Sequence, residues 1–173
     1  MMAFGNFKEK SLLKKFQKEL DLIPETRTPN KKKIHSVAIL IDNQLYSKVE
    51  VVDHVKSSIE CVRNVHVYSF KNFKKAEPKT YKHFTQKDFD WNGDVNDPSL
   101  KSFLENPFDL LIGYFNSKNL YLEYCALKSK ATFKIGFSKV NDKIFDLVVS
   151  EDPENVDSFI EVIKKYLELL HKI

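Results

Sequence analysis

Ser36-Val-Ala-Ile-Leu-Ile-Asp42 decides how this chain is read. Its apolar residues run without a polar break between a serine and an aspartate. A half-exposed strand would alternate polar and apolar positions. A short continuous run instead marks a strand covered on both faces, as in a parallel sheet. Ser47 follows, with Glu50 three residues on. That spacing is a capping box, in which each side chain satisfies a free N–H of the first helical turn. Val52, Val55 and Ile59 supply the apolar stripe of the helix it would open. Val65-His-Val-Tyr-Ser-Phe70 then reads as a second strand. Strand, helix and strand in so short a span make a βαβ unit with a right-handed crossover.

The same alternation continues downstream. Phe108-Asp-Leu-Leu-Ile-Gly-Tyr-Phe115 predicts a third strand, and residues 118–130 a buried helix, with Asn116 or Ser117 as its cap. Residues 132–138 and 144–149 predict two more strands. The connection between them is too short for a helix, so a hairpin turn or a tight loop is expected. Asp97-Pro98 predicts the start of a short helix, since Asp caps and Pro at the first position has no N–H to leave unpaired. Asp152-Pro153 predicts the start of the last one, with Phe159, Ile160, Ile163, Tyr166, Leu167 and Leu170 inward. Phe89 and Trp91 alternate with aspartates and offer a sixth, edge strand. The expected fold is α/β, a mostly parallel sheet of five or six strands flanked by helices, flavodoxin- or Rossmann-like in the loose sense.

Upstream lies an extra helix over residues 4–21. Phe4, Phe7, Leu13, Phe16 and Leu20 recur at helical spacing among lysines. Pro24, Pro29 and Lys31-Lys32-Lys33 then read as a linker. Residues 1–33 are thus a basic amphipathic helix and linker, and residues 34–173 a single α/β domain. The length of 173 residues, with 42% hydrophobic and 30% charged, suits one such domain. No apolar run is long enough for a membrane span, and no signal-peptide pattern opens the chain. With two cysteines and no disulfide framework, a cytoplasmic protein is expected.

In an open parallel sheet, ligands bind beyond the carboxyl ends of the strands. Asp42, Asn43, Ser69, Tyr114, Asn116, Ser138 and Lys139 occupy those ends here and form the candidate ligand-binding set. The plainer role for Asp42-Asn43 is a turn. Phosphate-cradling fingerprints need clustered glycines. Gly5, Gly93, Gly113 and Gly136 are far apart, so a P-loop and standard dinucleotide binding are excluded. A phospho-receiver site needs an aspartate at the end of the third strand, but Asp109 lies at its start. The five histidines are scattered singly, so no metal site is expected. His66, within a strand, reads as a hydrogen-bonded core residue. No catalytic constellation and no cofactor are recognised.

Charge is segregated. The net +4 comprises +5 over residues 1–33, −1 over 34–70, +5 over 71–87 and −5 over 88–173. Lys31, Lys32, Lys33, Lys74 and Lys75 are therefore candidates for holding a protein or anionic partner. Aromatics interleave the lysines of residues 71–91, as in single-strand nucleic-acid binders. Yet only Arg27 and Arg63 are arginine, and RNA readers favour the stacking guanidinium.

Five stretches carry a family likeness: Phe108-Asp-Leu-Leu-Ile-Gly-Tyr114, Leu120 through Ser129-Lys-Ala131, Phe133-Lys-Ile-Gly-Phe137, Phe145-Asp-Leu-Val-Val149, and Phe159-Ile with Lys165-Tyr-Leu167. Together they resemble a family of small uncharacterised proteins from Bacteroidota bacteria, known as a domain of unknown function. The resemblance implies a bacterial cytosolic setting and a single α/β domain, and assigns no catalytic residue. It also directs attention to Lys134 and Gly136 as groups facing an anionic ligand. The expected function is a non-catalytic binding or interaction module. An enzyme or sensor for a small anionic metabolite is the alternative, and an RNA- or ribosome-associated protein the third.

Overall fold

The computed structural model describes residues 3–24, 32–46, 50–73 and 83–173. The run quoted above forms β1 (Ser36–Asp42), whose apolar positions are all buried. It lies between β2 (Asn64–Phe70) and β4 (Leu110–Tyr114), parallel to both. A helical turn, α2 (Asn43–Tyr46), and α3 (Val51–Ser58) connect β1 to β2. One edge strand is β3 (His83–Phe84), and beyond β4 the sheet continues with β5 (Lys134–Phe137) and the other edge strand, β6 (Leu147–Val149). The six-stranded order is β3-β2-β1-β4-β5-β6, and every pairing is parallel.

This is the strand order of doubly wound nucleotide-binding folds, and it fixes the layers. From β1 the chain steps one way to β2; from β4 it steps the opposite way to β5. Crossovers of one hand then place their helices on opposite faces. Accordingly α3 packs with α6 (Val156–Leu169) over Ile39, Ile41, Ile112 and Ile135. On the other face α4 (Pro98–Glu105) and α5 (Leu120–Lys128) cover Ala38, Leu40 and Leu111. The N-terminal helix α1 (Ala3–Asp21) completes that second layer, with Leu12 and Phe16 buried in the same cluster. Its docking is tight. Gly93 adopts a φ of 78°, and a Cβ there would meet the Leu12 Cα at 2.9 Å. Only glycine suits both the left-handed backbone and the close approach. Lys15–Asp94 at 2.5 Å and Lys128–Glu19 at 2.9 Å close the rim.

Several expectations are corrected. β5 and β6 pair in parallel, so the hairpin is ruled out; residues 138–146 return the chain through a 3-10 turn, Asp142–Ile144. The sixth strand is β3, while Phe89 bridges Val95 in a small antiparallel turn. Helix α3 starts at Val51 with Glu50 as an N-cap that makes no side-chain capping bond, and Ser47 lies outside the described residues. Asn119, rather than Asn116 or Ser117, caps α5 by accepting from the Tyr121 and Leu122 N–H groups. Asn155 caps α6; Asp152-Pro153 forms the turn before it. On α1 the buried row passes through Leu12 rather than Phe7 and Leu13, which are exposed. On α6, Tyr166 and Leu170 are exposed too. His66 is exposed beside Phe108, because β3 pairs only with Ser69 and Phe70 and leaves the start of β2 at an edge.

Candidate functional site

The two ends of the sheet differ in chemistry. At the amino ends, β1 and β4 are locked together by Asp109. One carboxylate oxygen accepts from the His35 N–H at 3.0 Å, the Ser36 N–H at 2.9 Å and the Ser36 hydroxyl at 2.9 Å. The other meets Lys32 Nζ at 2.7 Å. Burial alone would raise the carboxyl pKa. The Lys32 ammonium and the three hydrogen bonds outweigh it and bring the pKa down to about 2. Lys33 Nζ donates to the Ile173 carbonyl at 3.1 Å. Lys32 and Lys33 therefore tie the segment before β1 to the body. Lys31, Lys74 and Lys75 lie outside the described residues.

At the carboxyl ends, the predicted residues separate into three groups. Tyr114 and Ser69 face inward. Tyr114 makes T-shaped contacts with Phe137 and Phe159, which stack on each other, and its hydroxyl donates to the Pro153 carbonyl at 2.7 Å. Burial, with Asp152 nearby, raises its pKa far above the ordinary value. The Ser69 hydroxyl is buried and contacts His83 Nδ1. Burial and the neighbouring Lys71 charge lower the His83 pKa.

Asp42, Asn43 and Asn116 form the second group, at the switch between β1 and β4. Ile41 pairs with Tyr114, so the residues that follow leave the sheet side by side. Asp42 Oδ1 accepts from the Gln44 N–H at 2.8 Å, which starts α2 and fulfils the turn role. Asn43 and Asn116 are half-buried. Ser138 and Lys139 are the third group, exposed and two strand spacings from β1, about 10 Å. Ser138 accepts from the Ser150 hydroxyl at 2.9 Å, linking the exits of β5 and β6.

The lysine and glycine of the fifth strand do not face the crevice. Lys134 Nζ donates to the Ala126 and Leu127 carbonyls at 2.8 and 2.9 Å, capping the negative end of α5. Gly136 lies under the Phe145 ring, which a Cβ would meet at 2.6 Å. Gly113, its neighbour across the pair, lies under the same ring.

Two groups escaped sequence reasoning. His83 was one of five scattered histidines, and only the pairing of β2 with β3 brings it to Ser69. Glu123, on the first turn of α5, is buried; its Oε1 accepts from the Asn141 N–H at 2.9 Å and holds the loop after β5. Burial raises its pKa, opposed by that hydrogen bond and by Lys118. A glutamate inside an otherwise apolar helix was its one signal. Among the described residues no three His, Cys, Asp or Glu side chains form a group able to hold a metal ion. No described helix is long and apolar enough to cross a membrane.

Residues 8–170 match a family of unknown function, DUF6913. The chain belongs to this family. The match spans both α1 and the sheet, so the N-terminal helix is part of what the family shares. No curated protein and no solved structure matches the chain.

Proposed function

We propose that this member of the family is a non-catalytic binding protein whose crevice, between the carboxyl ends of β1 and β4, takes a small anionic metabolite such as a nucleotide or sugar phosphate. One observation carries the reading. The strand order reverses between β1 and β4. Reversal sends the following chain segments to opposite faces and leaves a cleft between them. Asn43 follows β1 and Asn116 comes just after β4, both half-buried, and each offers an amide that can both donate and accept. Lys71, Lys118 and Lys139 follow β2, β4 and β5 and supply positive charge around the same end. With so few glycines the phosphate is held by side chains, not by a backbone cradle. The setting in this reading is a bacterial cytoplasm, in Bacteroidota as the sequence resemblance suggests.

Thermal-shift screening of nucleotides and sugar phosphates tests it. A ligand at a hundred times its Kd stabilises the native state by about 2.7 kcal/mol, a shift of several degrees. Asn43→Ala and Asn116→Ala are each expected to cut that shift by about half or more. A shift undiminished by both substitutions, or a screen with no shift at all, would sink the assignment.

A further inference from the structure

Helix α1 buries one side against the body and turns the other outward. Leu12 and Phe16 lie in the core, while Phe7 is 66% exposed. Residues three and four apart share a flank, so Ser11, Lys14 and Lys18 continue the Phe7 row. Leu22, 70% exposed, extends that row just past the helix end. Lys14 and Lys18 are exposed, as is Lys10 beside them. Residues 86–94 lie along the neighbouring row. Lys8 donates to the Gln86 carbonyl at 2.6 Å, Gly93 abuts Leu12, and Lys15 meets Asp94. Trp91 stands in that segment and is 56% exposed. Phe73, also exposed, joins it: its N–H donates to the Gln86 side chain at 3.1 Å, and Lys87 Nζ lies 3.6 Å from its ring centre. One side of the molecule thus presents exposed aromatics and a leucine among lysines.

We infer that this side of the protein docks on the surface of an anionic lipid bilayer. Charge complementarity selects that occupant. The acids of the region are largely engaged within the protein. Asp88 is buried, and Asp90 accepts from the Asn92 and Asp94 N–H groups of its own turn. Asp94 pairs with Lys15, and Glu19 with Lys128. Glu9 lies on the other flank of α1, near Tyr121 of α5. On the outward row, Lys10, Lys14 and Lys18 stand against Asp21 alone. A nucleic acid would meet the same charge, but the leucine and phenylalanine between the lysines would gain nothing from it, and none of the described basic groups here is arginine. A bilayer suits all of these groups. Lysine stems lie along apolar surface with their ammoniums at the lipid phosphates. Phenylalanine and leucine enter the acyl boundary, and tryptophan sits at headgroup level. No described helix can cross a membrane, so the contact is peripheral. This inference goes beyond the binding reading and does not depend on it.

Trp91 is the chain's one tryptophan, so its emission reports on this surface directly. The full chain is mixed with vesicles of phosphatidylglycerol and phosphatidylcholine, or of phosphatidylcholine alone, and followed by co-sedimentation and fluorescence. The expected result is binding to the anionic vesicles that weakens as salt rises, with Trp91 emission shifted to the blue and quenched by spin-labelled lipid. Lys14→Gln combined with Lys18→Gln is expected to lower the partition coefficient by roughly tenfold or more. Phe7→Ser is expected to lower it on its own, and at so exposed a position the circular dichroism should stay unchanged. Lys164→Gln with Lys165→Gln removes the same charge from exposed positions on α6, in the opposite layer, and is expected to leave binding as it was. No binding to the anionic vesicles, equal weakening by the α1 and α6 pairs, or binding without a change at Trp91 overturns the inference. An oligouridylate bound through Lys14 and Lys18, with vesicles ignored, overturns it in favour of nucleic acid.

Discussion

The amino ends of β1 and β4 are tied together by Asp109, and beyond their carboxyl ends lies the crevice proposed to take a ligand. At the amino end one buried carboxylate takes up two backbone N–H groups, a hydroxyl and an ammonium. At the carboxyl end Asn43 and Asn116 leave the sheet half-buried. Both ends are built from short polar side chains beside the same two strands. At the amino end all of them answer the protein's own backbone or one another; at the carboxyl end Asp42 and Tyr114 do so, and Asn43 and Asn116 are the pair proposed to meet a ligand. Polar groups that do so hold register; polar groups that do not can receive a ligand. This contrast predicts that substitutions at the two ends act on different observables.

The largest effect is expected at Asp109. Asp109→Ala strands two N–H groups and Ser36 beneath the sheet and leaves Lys32 without its carboxylate. Because Lys32 is 55% exposed and water can reach it, the cost falls below that of a fully buried pair, at about 3 kcal/mol. Urea unfolding measures it as a lower midpoint at constant slope. An unchanged midpoint would show that the amino end is not closed by this residue.

Gly136→Ala comes next. The new methyl collides with the Phe145 ring, which also covers Gly113 and cannot retreat without uncovering it. Overpacking of this kind costs about 2 kcal/mol. The same urea experiment reads it, and Phe145→Leu in the Gly136→Ala background is expected to recover part of the loss. No recovery would mean that the ring is not the obstacle.

Acid sharpens the contrast further. The folded pKa of Asp109 is about 2, below the ordinary aspartate value of about 3.9. The unfolded chain therefore takes up the proton more readily. Stability from this group is present above about pH 4 and is lost as pH falls towards about 2. The contribution is up to about 2 kcal/mol, less whatever water screens at the half-exposed Lys32. Stability measured across that range is expected to fall in the wild type and to flatten in Asp109→Asn. Parallel curves for the two would assign the acid sensitivity elsewhere.

The carboxyl end was more legible in the sequence than the amino end, for a physical reason. A buried parallel strand announces itself by an unbroken apolar run, and β1 did so to the residue. Once the strands are placed, their carboxyl ends name Asp42, Asn43 and Asn116 without further information. Asp109 was visible only as an aspartate at the wrong end of a strand. Its partners Lys32 and Ser36 lie some seventy positions away in the chain, and only β1–β4 pairing brings them together. The Ser69–His83 contact was hidden likewise, because β3 contributes two residues and no apolar run. Helix starts were misplaced where a second capping residue stood nearby: Asn119 after Asn116, and Asn155 after Asp152. Spacing alone does not say which of two capable side chains reaches the free N–H groups. The glycines of β4 and β5 suggested a ligand for a related reason. A missing Cβ looks the same in a sequence whether an anion or a phenylalanine fills the space.

The smallest effect on stability is expected at Asn116. It lies past the end of β4 and caps nothing, since Asn119 does that for α5. Asn116→Ala removes an amide that water can still reach and exposes no buried partner, so the change should stay within about 0.5 kcal/mol. Its effect on a bound anionic metabolite is the reverse. A ligand group that hydrogen-bonds this amide would lose a partner in a cleft, at about 1–3 kcal/mol, or roughly ten- to a hundredfold in Kd. Asp109→Asn gives the opposite pattern, lower stability with Kd unchanged, because the amino end lies a full strand length away. Calorimetric titration of both variants with the best compound from the thermal-shift screen reads the two quantities separately. If Asn116→Ala lowers stability as much as Asp109→Asn and leaves Kd alone, the carboxyl ends are closed as well, and the crevice is packing rather than a site.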